Sequence, residues 1–188
     1  MKKLSMRALT KMSLLAALLC ASAYISIPLG FTPALLTIQT LIINIIAILL
    51  TPYESFLTVF IYILIGAVGI PVFSGGQGGL GKLLGPTGGY ILAFLIAAPL
   101  MSFTKKYVSA FFAKFMKPAI SDTVGYAVNA ILVGMVIIYA VGSLYMKLML
   151  DRTWGEVFVM AVVPFIPLDI VKCIAASIIM TTIVRRLS

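Results

Sequence analysis

Apolar residues in this chain come in blocks too long for the interior of a small soluble domain. Residues 35–50 and 56–72 are two of them, each close to the roughly 20 residues a helix needs to cross the hydrocarbon of a bilayer. Composition agrees. Of 188 residues, 62% are hydrophobic and 10% charged, whereas a soluble domain carries about 25% charged residues. Too little polar surface remains to cover a water-facing globule. The sequence therefore predicts an all-α integral membrane protein, one domain over residues 1–188, with lipid as its solvent.

Six spans are predicted, at about 11–27, 33–50, 52–70, 89–103, 123–145 and 168–184. The first has the basic flank, apolar run and small residues of a secretory signal. Five further spans follow it, so it is read as a retained transmembrane helix. Pro28 and Pro33 bracket the first turn. Thr51-Pro52-Tyr53-Glu54 has the form of a capping box with proline at the first helical position, which starts the third helix. Lys117-Pro118 and Ser121/Asp122 mark the start of the fifth. No repeat period and no second domain are visible.

The formal charge of +9 raises the question of nucleic acid, but the cations sit at the ends of apolar blocks without interleaved aromatics. They act as topology signals instead. An even number of spans puts both termini on one side. That side holds Lys2, Lys3, Arg7, Lys11, Lys105, Lys106, Lys114, Lys117, Arg185 and Arg186, and the other holds Lys82, Lys147 and Arg152. The asymmetry predicts cytoplasmic termini and exports an outer loop, 72–88, together with residues 147–167. In the second exported segment Thr153-Trp154-Gly155-Glu156 fits another capping box ahead of the apolar run 157–163. It predicts a short outer helix of about ten residues, too short to span, ended by Pro164 and Pro167.

Ionisable residues in a membrane interior are costly and mark function by default. Asp169 and Lys172 qualify. Three positions apart, they share a helical face, and Asp169 falls in a first turn, where free N–H groups stabilise a carboxylate. They offer an acceptor and a donor to a ligand, or neutralise each other inside the bundle. The loop is the second constellation: eight of the nineteen residues 72–90 are glycine, which permits close approach of backbone to a partner. A flexible connector would need no Phe73 and Tyr90 at its ends, so a lid or binding loop is expected. Gly76–Lys82 also satisfies the G-x-x-x-x-G-K pattern, but Leu83 follows where a phosphate loop needs Ser or Thr, and the segment joins two membrane spans. Nucleotide binding is not expected here. Ser13, Ala17 and Ala21 form a strip of small residues on the first helix, suited to close packing within the bundle or against another protein. Gln39, Thr40, Asn44 and Asn129 read as interhelical hydrogen-bonding groups, with Thr37 and Gln39 within reach of an outward-facing pocket. Cys20 and Cys173 both fall in spans, and the chain has no histidine, the commonest metal ligand and catalytic base.

These patterns together resemble the BioY family, the biotin-specific S components of energy-coupling factor (ECF) transporters. The resemblance covers most of the chain. It rests on Thr37-Ile38-Gln39-Thr40, on Gly69-Ile70-Pro71-Val72-Phe73 with Gly75-Gly76-x-Gly78-Gly79, on Gly85-Pro86-Thr87-Gly88-Gly89-Tyr90, and on Pro167-x-Asp169-x-x-Lys172. Leu168 departs from it, standing where the pattern has glycine. The resemblance implies a six-helix S-component bundle in a prokaryotic cell membrane, with a biotin pocket open to the outside and no catalysis or cofactor. It implies a membrane T component as partner, facing Ala17 and Ala21, and two cassette ATPases that consume ATP. Asp169 and Lys172 would meet the ureido ring or the tail carboxylate. Phe73 and Tyr90 would pack on the bicyclic ring, with Gln39, Gln77 and the glycine backbone at Gly76 alongside.

Other readings use the same residues differently. An S component for another vitamin would keep the fold and change the pocket. A stand-alone secondary carrier lacks support from inverted repeats, and an intramembrane enzyme lacks a nucleophile–base pair. A purely structural scaffold would leave the charged pair in the last span without a purpose.

Overall fold

The computed structural model describes residues 5–187, with side chains at all of these except 118, 119 and 185–187. Helix α1 (Met6–Ser22) is followed by strands β1 (Ser26–Pro28) and β2 (Leu35–Thr37). Then come α2 (Gln39–Leu49), α3 (Pro52–Ala67), the single turn α4 (Leu80–Leu83) and α5 (Gly88–Phe112). Helix α6 (Pro118–Asn129) runs through a π-helical segment (Ala130–Met135) into α7 (Val136–Leu150). The short α8 (Trp154–Ala161) and the final α9 (Ile166–Leu187) complete the fold. Each predicted span contains a helix. Gly88–Phe112, Ile120–Leu150 and Ile166–Val184 are long and apolar enough to cross a membrane, while Gln39–Leu49 and Pro52–Ala67 are shorter apolar helices. The chain is a multi-pass membrane protein.

The first two spans need correction. The first helix runs from Met6 to Ser22 instead of 11–27, and the second shortens from 33–50 to Gln39–Leu49. Between them an antiparallel hairpin pairs Ser26 with Thr37, Ile27 with Leu36 and Pro28 with Leu35, so the bundle is not purely helical. Proline supplies the reason. Pro28 has no N–H to donate and fixes φ, which fits an edge strand better than a helix interior, and Gly30 turns the chain at φ +75°. At about 1.5 Å per residue, the 11 residues of α2 cover only about 16 Å. Its first turn, carrying buried Gln39, thus ends within the bundle.

Helix α5 is the axis of the molecule and touches α2, α3, α6 and α7. Its seam with α6 and α7 is made close by glycine. The Tyr145 side chain lies over Gly89, the Tyr90 ring over Gly142 and Met101 over Gly134, and a Cβ added at Gly125 would come within 2.6 Å of the Ser109 Cα. Small residues allow this approach, which is how helices associate in lipid without a hydrophobic driving force. Helix α5 also runs further than expected, to Phe112, and carries Lys105 inside it. The Lys105 ammonium donates to the carbonyls of Ala47 (2.8 Å), Ile48 (2.7 Å) and Leu50 (2.7 Å). It therefore caps the C-terminus of α2, where carbonyls have no helical partner and a positive charge is favoured.

Both capping boxes form. The Thr51 N–H donates to Glu54 Oε2 at 2.9 Å and opens α3. The Thr153 N–H donates to Glu156 Oε2 at 2.9 Å and opens α8, a short helix of 8 residues. That backbone hydrogen bond, with the Thr153 hydroxyl, holds the Glu156 carboxyl below its ordinary pKa. The loop lies at the C-terminal end of α1, since the Gly75 N–H donates to the Ala23 carbonyl at 3.1 Å. Met12, Leu15, Ala16 and Leu19 face the bundle, whereas Ser13, Ala17 and Ala21 are exposed. The strip of small residues is therefore not used for packing within the bundle. Lys2 and Lys3, and the side chains of Arg185 and Arg186, lie outside the described residues.

Lys105→Met takes the ammonium donor from the Ala47 and Ile48 carbonyls, while the Leu50 carbonyl keeps the Ser102 hydroxyl. Hydrogen bonds to a charged group contribute about 1.5–3 kcal/mol, so a thermal midpoint lowered accordingly is expected for the purified variant in detergent.

Candidate ligand-binding site

Asp169 sits in the first turn of α9, its N–H donating to the Phe165 carbonyl at 2.9 Å, and its carboxylate points into the bundle. Three side chains from three helices donate to it. Lys172 Nζ reaches Asp169 Oδ1 at 2.8 Å, Thr40 Oγ1 of α2 reaches the same oxygen at 2.9 Å, and the Tyr139 hydroxyl of α7 reaches Oδ2 at 2.6 Å. Lys172 also donates to Thr40 Oγ1 at 3.2 Å. Asp169 and Lys172 are 6% and 7% exposed, so their charges are stabilised by each other and by these hydroxyls, with little help from water. A carboxylate has about four acceptor sites and an ammonium three donors. One acceptor site and one donor thus remain for a solute.

The network forms one wall of a cavity of about 70 Å³. At roughly 10–15 Å³ per water, it holds about five to seven water molecules. Thr37 borders it from the end of β2, Gln39 from the start of α2, Tyr90, Ile91 and Phe94 from α5, Ile138 from α7 and Phe165 from the turn before α9. Ser74 and Thr87 approach from the two ends of the loop. Apolar side chains make up much of the lining, with a limited set of polar groups among them, the usual character of a small-molecule site. Tyr90 is held by its hydroxyl, which donates to the Ala161 carbonyl of α8 at 3.0 Å. Gln39 is held by Nε2 donating to the Tyr62 hydroxyl at 2.6 Å.

This architecture can be compared with known proteins. The sequence model described as the BioY family matches residues 1–188. The chain belongs to the BioY family. It is 30% identical over 188 residues to biotin transporter BioY2 of Lactococcus lactis subsp. cremoris, covering 100% of this chain and 96% of that one. It is 35% identical to a probable biotin transporter BioY of Pyrococcus horikoshii, covering 89% and 90%. Among solved structures, the S-component for biotin from an ECF-type ABC transporter superposes with a TM-score of 0.81 at 23% identity, covering 95% of this chain and 91% of that one. The fold of this BioY chain is thus that of an S component.

Of the residues singled out from the sequence, Asp169, Lys172, Tyr90 and Gln39 meet at the cavity. Phe73, Gln77 and Gly76 do not line it. Phe73 is fully buried in the core, its ring edge-on to Tyr62 at 5.6 Å and lying over Gly66. The cause is a tight turn. The Phe73 N–H donates to the Gln77 carbonyl at 2.8 Å and the Gln77 N–H to the Phe73 carbonyl at 3.1 Å, with Gly75 and Gly76 at φ +79° and +66° between them. Two successive left-handed residues require glycine, and the turn directs Phe73 inward toward α3. It leaves Ser74 at the cavity, Gly76 against the Tyr24 ring and Gln77 in a shallow outer depression. Tyr139 was not foreseen. Its signal was a lone hydroxyl-bearing ring in the apolar run 136–141.

Tyr139→Phe removes one of the three donors to Asp169. The expected loss of stability without ligand is about 1.5–3 kcal/mol, read as a lower thermal midpoint. A double-mutant cycle with Asp169→Asn should return a coupling of about 0.5–3 kcal/mol, and strict additivity would show that the contact carries no energy.

Proposed function

We propose that this chain captures biotin from outside the cell as the substrate-binding S component of an ECF-type uptake transporter. The observation that carries this reading is the buried network of Asp169, Lys172, Thr40 and Tyr139, net neutral and open to an apolar cavity. The ureido ring of biotin is neutral and offers N–H donors beside a carbonyl acceptor. An N–H suits the remaining acceptor site of Asp169, and the ureido carbonyl suits the remaining donor of Lys172. Charge-assisted hydrogen bonds of this kind are among the strongest available. The apolar thioether ring and valerate chain suit Tyr90, Ile91, Phe94 and Ile138. The names of the relatives from Lactococcus and Pyrococcus, a biotin transporter and a probable biotin transporter, point the same way.

In this reading the chain performs no catalysis, and binding energy alone selects the vitamin. Energy for release comes from outside the chain, from a membrane T component and two cassette ATPases. The exposed Ser13, Ala17 and Ala21 strip supports such a partner, because small residues turned toward lipid let a second helix approach closely. Six membrane crossings with both termini in the cytoplasm complete the proposal. They put the loop and α8 on the side from which biotin arrives.

Titration calorimetry on the purified protein tests it. Removing one partner of a buried charged bond costs about 2–5 kcal/mol, roughly 30- to several-thousand-fold in affinity. Asp169→Asn and Lys172→Ala should therefore lose most biotin binding while still inserting into the membrane, and wild-type affinity in both would refute the assignment. In a vitamin panel, biotin alone should raise the melting temperature, since only a ligand of the folded state stabilises by mass action.

A further inference from the structure

Three cations, Lys82, Lys147 and Arg152, lie on the end of the bundle that carries the loop. Two of them are engaged. Arg152 Nη1 stands 3.1 Å from Glu156 Oε1, and Lys147 Nζ lies 5.6 Å from the centroid of the Trp154 ring. Lys82, on α4, has no hydrogen-bond or ion-pair acceptor among the described residues. Its side chain is only partly exposed, and burial pushes its ammonium below the ordinary lysine pKa. A nearby anion would offset that desolvation.

Lys82 sits in a shallow outer depression with Gln77, Gly78, Pro86 and Thr87. Thr87 also borders the inner cavity, so the two hollows share a wall. Inside, the charges cancel. Asp169 and Lys172 form an ion pair, and the other lining residues carry no charge. Such an interior accepts a neutral polar ring. A carboxylate drawn in after it would meet Asp169 and a lysine already committed to that residue, and an unpaired buried carboxylate is strongly disfavoured.

We propose that Lys82, flanked by Gln77 and Thr87, forms an entrance subsite for a carboxylate borne on an apolar tail whose neutral head occupies the inner cavity. The inference rests on the biotin reading and deepens it by assigning the two ends of the ligand to two places. The head meets the paired charges within, and the tail carboxylate meets a single cation at the mouth, where water still reaches its outer side. Gln77, displaced from the cavity by the 73–77 turn, supplies an amide donor beside that cation.

Titration of purified protein with biotin and with biotinamide, in which a neutral amide replaces the carboxylate, tests the assignment. A charge-assisted contact at a half-buried site predicts that the wild type prefers biotin by roughly tenfold or more. Lys82→Gln and Lys82→Met should both erase that preference by weakening biotin and sparing biotinamide, whereas Lys82→Arg should keep it. Thermal midpoints of the variants, unchanged from wild type, check folding. No preference in the wild type, a preference that survives both substitutions, or an equal loss for the two ligands would overturn the subsite, the last by making Lys82 a residue of loop structure. If the wild type binds neither compound, the biotin reading itself fails and the subsite falls with it. If both bind and the ratio ignores Lys82, only the subsite falls.

Discussion

A carboxylate and an ammonium taken out of water lose more hydration than their attraction restores, unless further hydrogen bonds complete their shells. Asp169 and Lys172 meet that condition through Thr40 and Tyr139, and much of the bundle is arranged so that they can. Helix α2 must end early enough to bring Thr40 to the carboxylate. Helix α7 must present Tyr139 at the same level, and α9 must begin immediately before Asp169, so that its first turn faces the cavity. Losing the placement of α2 or α7 would leave the buried pair short of a hydrogen-bond partner. The polar network therefore specifies how three helices register against each other, a task that greasy surfaces do poorly.

Around this centre the packing uses size more than chemistry. Glycines at 89, 134 and 142 let Tyr145, Met101 and Tyr90 reach across the seam between α5 and its neighbour. The Tyr90 ring is thereby fixed from behind by Gly142 and from its hydroxyl by α8. An aromatic wall for a ligand is most useful when it cannot rotate away, and here two separate helices hold it.

What could be read from the sequence was what lies close along the chain. The capping boxes at Thr51 and Thr153, and the Asp169–Lys172 pair, each join residues three apart on one helix, so spacing alone reveals them. Tyr139 is 30 residues from Asp169, and its contact depends on the rotation of one helix relative to another, which no local pattern encodes. The hairpin around Pro28 and Pro33 was hidden because its strands are short apolar runs that fit a helix equally well. The π-helical segment has no compositional mark at all. Phe73 misled for a different reason. Its place beside a glycine-rich loop suggested a ligand contact, but the direction of its side chain is set by the backbone bridge to Gln77.

Lys105 and Thr40 have a joint consequence for α2. The helix is gripped at one end by an ammonium bound to its last carbonyls and at the other by a hydroxyl bound to the Asp169 carboxylate. Its sequence, QTLIINIIAIL, contains no proline or glycine at which to bend. A rod pinned in this way cannot absorb a displacement along its length. Any push on Thr40 from the cavity must arrive at Lys105 as motion of the whole strut, which makes α2 a mechanical link between the two faces of the bundle.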